Sequence, residues 1–155
     1  MRSFYLATEK INDYLSSHPL VKVVTFGDIF DIDLNKQTIF PLAHIMINQA
    51  SFEGQVVRMS VSLICMDLVD ETKENPRAQA EPFYGTSNVQ DILNTQLAVI
   101  NDLVQELRRG TLYTELYQLD GNPTCLPFTE RFENLLAGWT ATFDVLLANT
   151  EISVC

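Results

Sequence analysis

The sequence predicts an α+β fold: a mostly antiparallel sheet with a long β-hairpin, one long helix packed on the sheet, and a further helix at the N-terminus. Three observations predict it. Residues 4–15 and 89–107 carry apolar side chains at helical spacing. Residues 43–65 and 139–147 hold stretches that alternate apolar and polar, the period of a half-buried strand. The segments also come in blocks (helix, strands, helix, strands), which favours an antiparallel sheet over repeated βαβ units. The 155 residues suit one domain spanning 1–155, long enough to bury its own core.

The elements follow in order. Phe4, Ala7, Ile11, Tyr14 and Leu15 share one helical face, with Glu9, Lys10, Asn12 and Asp13 opposite. Ser16, Ser17, His18 and Pro19 end that helix. Residues 20–26 are rich in β-branched side chains and read as a strand, with a turn at Gly27-Asp28. Residues 30–34 alternate as a short strand whose acids face outward, and 35–37 form a turn. Ala43, Ile45 and Ile47 mark the apolar face of the first hairpin strand. Residues 49–54 are the connection, and Val57, Met59, Val61, Leu63 and Cys65 mark the apolar face of the second strand. Residues 67–87 are polar, carry Pro76 and Pro82, and read as a loop that becomes ordered at a subunit contact. Val89, Ile92, Leu93, Leu97, Ile100, Leu103, Val104 and Leu107 form the buried stripe of the long helix. Ser87 and Gln90 cap its start, and Arg108, Arg109 and Gly110 close it. Residues 112–119 read as a strand, Asp120-Gly121-Asn122-Pro123 as a turn, and 124–132 as an extended segment that Pro127 restricts in part to a sheet edge or a bulge. Trp139, Ala141, Phe143, Val145 and Leu147 alternate with Thr140, Thr142 and Asp144 as the last strand.

The composition narrows the function. There are 20 Asp and Glu against 10 Lys and Arg, a net charge of −10. A grip on nucleic acid needs Lys and Arg to displace counterions, and the only adjacent basic pair is Arg108-Arg109, at a helix end. Cys65, Cys125 and Cys155 are scattered without metal-ligand spacing, which fits a reducing compartment better than a disulfide framework. The first residues lack the apolar stretch of a signal peptide, and no run approaches the roughly 20 apolar residues of a membrane span. The expected setting is cytoplasmic assembly, with no membrane.

The chemistry-bearing residues do not assemble into a motif. His18 precedes a proline at a helix end, and His44 sits on the polar side of a strand without a nucleophile or acid at triad spacing. Asp28, Asp31 and Asp33 bring carboxylates close together but lack the central glycine and distal glutamate of a calcium loop. Cys65 falls on an apolar strand face. No phosphate-binding glycine loop, nucleophile elbow or zinc-protease helix occurs. The expectation is a protein without catalytic residues, cofactor or metal. The competing readings are a small binding or adaptor domain and an enzyme whose site centres on His44.

The chain resembles the tail-completion and tail-terminator proteins of tailed phages, small subunits of rings at the head–tail junction. Residues 18–28 (HPLVKVVTFGD), 33–44 (DLNKQTIFPLAH) and 133–139 (ENLLAGW) carry the resemblance, together with the order of elements. It does not extend to residues 67–87 or 148–155. The resemblance implies a virion structural protein that joins neck to tail as a closed ring, a hexamer, with neighbouring neck and tail-tube proteins as partners. DNA then passes without specific binding. Asp31 and Asp33 are candidates for an acidic lumen that repels phosphate. Met46, Ile64 and Met66 lie on the polar strand face, where a lone domain leaves them partly wet. With Asp70, Glu71, Glu74 and Arg77 they are the candidate subunit contacts.

Overall fold

Helix α1 (Arg2–Ser16) buries Ala7, Ile11 and Leu15, the stripe expected from its spacing. A computed structural model describes residues 2–28, 39–69, 88–109, 117–131 and 136–148. Past α1 the chain makes a tight turn, in which the Val21 amide donates to the His18 carbonyl at 3.1 Å. It then enters β1 (Val23–Phe26), shorter than the strand expected over 20–26 because the first residues of that stretch form this turn. Strands β2 (Leu42–Glu53) and β3 (Val56–Leu68) make the long hairpin, α2 (Val89–Arg109) follows, and β4 (Tyr117–Arg131) and β5 (Leu136–Ala148) complete the fold. The five strands lie in the order β1-β2-β3-β5-β4, antiparallel except for the β1–β2 pair.

Both helices cover one face of this sheet. Ala7, Ile11 and Leu15 of α1 and Val99, Ile100, Leu103, Val104 and Leu107 of α2 pack on Ala43, Ile45, Val57, Met59, Val61, Leu63, Ala141, Phe143 and Val145. Trp139 is half-buried at the edge of this core, and its indole N–H donates to the Leu93 carbonyl at 2.8 Å, tying α2 to β5. Asn88 tethers the start of α2: its carbonyl accepts from the Ile92 amide at 3.0 Å, and its side-chain amide donates to the Leu68 carbonyl at 3.4 Å. The expected capping residue Ser87 lies outside the described residues.

Several expectations are corrected. The stretch 49–54 is strand rather than connection up to Glu53, and the reversal is confined to Gly54-Gln55, with Gly54 at φ 68°. Asn48 is an extra residue in β2, inserted where the register shifts between Ile47 and Gln49. Such a bulge breaks the two-residue period, so alternation ends where the strand does not. Asp120-Gly121-Asn122-Pro123 does not reverse the chain either. It is a bulge inside β4, since Asp120 pairs with Asp144 and Thr124 with Thr142. Gly121, at φ 70°, takes the left-handed conformation that the kink requires. Leu97, placed on the buried stripe of α2, is 40% exposed, and Gln96 and Val99 are buried instead. The expected segments 30–34 and 112–116 lie outside the described residues. Pro127 lies on β4, an outer strand, where it withholds no donor from an inner ladder.

Candidate functional site

The face of the sheet away from the helices is divided along its length. Near the start of β2 it is apolar: Phe40, Leu42, Ile64, Met66, Phe128 and Leu136 form a second buried cluster, with Val23, Ile39, Met46 and Leu68 against it. Toward the hairpin turn it becomes polar. There the Asn48 side-chain amide donates to Ser62 Oγ at 2.8 Å, and Ser62 Oγ lies 3.4 Å from Thr142 Oγ1.

His44 stands among the buried residues of β2 and is 0% exposed. Its Nε2 lies 2.8 Å from the Gly27 carbonyl and its Nδ1 2.7 Å from Thr25 Oγ1. A carbonyl only accepts, so Nε2 carries the proton, and Nδ1 accepts from the threonine hydroxyl. Burial lowers the His44 pKa, against the opposing influence of the Gly27 carbonyl and the Asp28 charge. A neutral imidazole with both nitrogens engaged clamps β1 to β2. It has no free lone pair with which to act as a base.

His18 is held in a comparable way. Its Nδ1 accepts from the Leu20 amide at 3.1 Å, so Nε2 carries the proton and donates to Asp102 Oδ2 at 2.7 Å. The pair has the look of a catalytic dyad, but it joins the end of α1 to α2, and both ring nitrogens are in use. Burial, followed by the charges of Asp102 and Glu106, pushes up the pKa of the nearby Tyr14 hydroxyl.

Arg58 is the hub of the polar half of the face. It donates to Glu53 at 2.9 Å and to Asp120, and lies 3.5 Å from Asp144. The hydrogen bonds it donates to Glu53 and then Asp120 raise its pKa, so it is permanently charged. Three carboxylates on three strands thus share one guanidinium, which links β3 to β2, β4 and β5. Among the described residues no group of three or more His, Cys, Asp or Glu is placed to hold a metal ion. No helix among them is long and apolar enough to cross a membrane.

Two surfaces stand out for contact with other molecules. Strand β1 pairs only with Leu42–Ile45, so from Met46 to Glu53 the outer edge of β2 has no neighbouring strand among the described residues. That edge ends in Phe52, 74% exposed beside the turn. A groove of about 620 Å³ lies between the outer side of α2 and β4, lined by Leu97, Val104, Arg108, Pro123 and Cys125 among others.

The expected contact residues separate into three groups. Met66 and Ile64 are buried within the chain, at 0% and 8% exposure, which corrects their assignment as partly wet residues awaiting a partner. The alternation placed them on the second face correctly. It did not reveal that Phe40, Phe128 and Leu136 cover that face, because Phe128 and Leu136 come from distant parts of the chain. Met46 is half-buried beside them. Asp70, Glu71, Glu74 and Arg77, and the lumen candidates Asp31 and Asp33, lie outside the described residues. The Arg58 hub and the open edge of β2 were not foreseen. The hub brings together acids more than 60 positions apart in the chain; the open edge depends on how short β1 is. No protein-family model and no curated protein matches the sequence.

Proposed function

We propose that this chain is a non-catalytic structural subunit of a phage head–tail junction, a tail-terminator or tail-completion ring protein. The observation that carries the assembly reading is the outer edge of β2, which has no neighbouring strand from Met46 to Glu53 among the described residues and ends in the exposed Phe52. A strand edge offers a row of backbone donors and acceptors to another chain, and an exposed aromatic at its end supplies apolar contact area. Head-to-tail contact through such an edge closes a ring when the rotation between neighbours divides a full turn. The engagement of His44, His18 and Arg58 in holding the fold supports a role without catalysis. The phage assignment rests on the resemblance of residues 18–28, 33–44 and 133–139, and the net charge of −10 suits a conduit that repels DNA.

The test is assembly. Light scattering of the full chain, alone and with neck and tail-tube proteins, should give a closed oligomer. Phe52→Glu should abolish that oligomer while leaving the circular dichroism spectrum unchanged. A chain that stays monomeric with every neck protein offered, and is absent from purified particles, would rule the reading out. The groove between α2 and β4 favours a second reading, a small adaptor domain that binds a partner segment there. Loss of partner binding on Leu97→Arg, with Phe52→Glu silent, would establish it in place of the ring.

A further inference from the structure

A pocket of about 400 Å³ opens where the segment following α1 passes the end of β3 and the middle of α2. Pro19, Leu20, Val21 and Pro41 supply apolar wall, Asp67 and Gln96 supply acceptors, and Lys22 also lines the pocket, in no ion pair among the described residues. Gln96 is 1% exposed, yet its Oε1 has no hydrogen-bond partner among the described residues. Buried polar atoms are nearly always satisfied, so an orphaned acceptor lining a cavity points to something that donates to it. Thr95, on the same wall, is not that donor, because its hydroxyl is directed to the Asp91 and Ile92 carbonyls at 3.0 and 3.1 Å. Asp67 accepts one bond at Oδ1, from the Leu68 amide at 2.8 Å, and among the described residues no cation pairs with it.

We propose that this pocket binds a small organic cation bearing a primary ammonium group. The ammonium sits against Asp67, one of its N–H bonds is donated to Gln96 Oε1, and a short aliphatic tail lies along Pro19, Leu20 and Pro41. An ammonium has three donors and no acceptor, which matches the Asp67 carboxylate and Gln96 Oε1 on this wall. Burial raises the Asp67 pKa, and a cation beside it opposes that shift and is held by the same carboxylate. Asp67 disfavours an anion whichever way the Gln96 amide is turned. The net charge of −10 also raises the local concentration of cations around the chain. The site is separate from the open edge of β2 and does not depend on ring formation.

The experiment is a titration of the full chain with n-butylammonium chloride, followed by NMR at the Gln96 side-chain amide and the backbone amides of 20–22. n-Butanol and sodium butyrate serve as controls of the same tail length. Saturable shifts are expected with butylammonium, binding at least about ten-fold weaker with butanol, and none with butyrate, as removal or reversal of the charge demands. Asp67→Asn keeps the shape and removes the charge, and should weaken butylammonium at least about ten-fold. Gln96→Met keeps the charge and removes the acceptor. It should also weaken binding, and it serves alone if the Asp67 variant does not fold. Equal affinity for butylammonium and butanol, or affinity unchanged in both variants, would overturn the proposal. So would a crystal structure of the free chain with the Lys22 ammonium seated between Asp67 and Gln96, since Lys22 also lines this pocket.

Discussion

Gly138 shows how much a single position decides. It lies in β5 opposite Met66 of β3 and Phe128 of β4. A Cβ there would land on the Cys65 carbonyl oxygen and come within 2.8 Å of Met66 Cα. Both are backbone atoms of a central strand, so neither yields as a flexible side chain does. Gly138→Ala should therefore destabilise the fold by about 1–3 kcal/mol or more, as overpacking of a tight site does. A urea midpoint equal to wild type would show that β3 and β5 can separate at no cost. His44 contributes a pH dependence. Its folded pKa lies below the ordinary 6.5 because burial disfavours the charged ring. As pH falls through the ordinary histidine range, the unfolded chain binds a proton that the folded chain does not. The stability from a neutral His44 is thus complete above that range and declines toward acid. Between about pH 7.5 and pH 5.5 the urea midpoint of the wild type should fall more than that of His44→Gln, which has no titrating ring. Parallel curves for the two proteins would mean that His44 ionises normally.

Among the elements, α2 separates pattern from packing. Its spacing marks Leu97 and Leu103 as equivalent, but Leu97 is 40% exposed on the rim of the groove and Leu103 is 0% exposed beneath the helix. Leu103→Ala should cost about 2–5 kcal/mol, the loss of transfer energy plus the cavity left behind. Leu97→Ala should cost under about 1 kcal/mol, as at a surface position. Equal losses in thermal melts of the two variants would contradict the orientation of α2. The β-hairpin teaches the same lesson in another form. Its register is held by an uninterrupted ladder between β3 and β5, while β2 and β4 both absorb bulges. β3 and β5 keep a strict period because both neighbours demand it, whereas β4, and β2 beyond its short pairing with β1, have one neighbour among the described residues and are free to kink.

At the level of the whole molecule, the two faces of the sheet have different duties. The helix-covered face holds the main core, and the other face is part apolar cluster and part polar surface organised by Arg58. Cys65 lies in the main core, and burial pushes its thiol pKa up to about 12. Cys125 is half-buried and also raised by burial. In a Cys155→Ser background, a disulfide reagent should modify Cys125 in the native protein and reach Cys65 only at the rate of global unfolding. Modification of both thiols at one rate would indicate that β3 opens locally.

The sequence by itself determined the fold class, the existence and type of α1, β1, β2, β3, α2 and β5, and most of the core, but it divides β4 at a turn where the strand only bulges. Residues 89–107, 57–65 and 139–147 carry periods too regular to be read otherwise, because each of those segments buries one continuous face. Tertiary structure alone decided what happens where that regularity fails. Asn48 and Gly121 sit in bulges that a periodic reading takes for strand ends. Met66 and Ile64 look stranded on a polar face until Phe128 and Leu136 arrive from elsewhere in the chain to cover them. The Arg58 hub, the His44 clamp and the pocket beside Gln96 likewise bring together residues that no local spacing connects. Periodicity reports which way a side chain faces relative to its own element. What it meets there depends on how the elements are arranged in space.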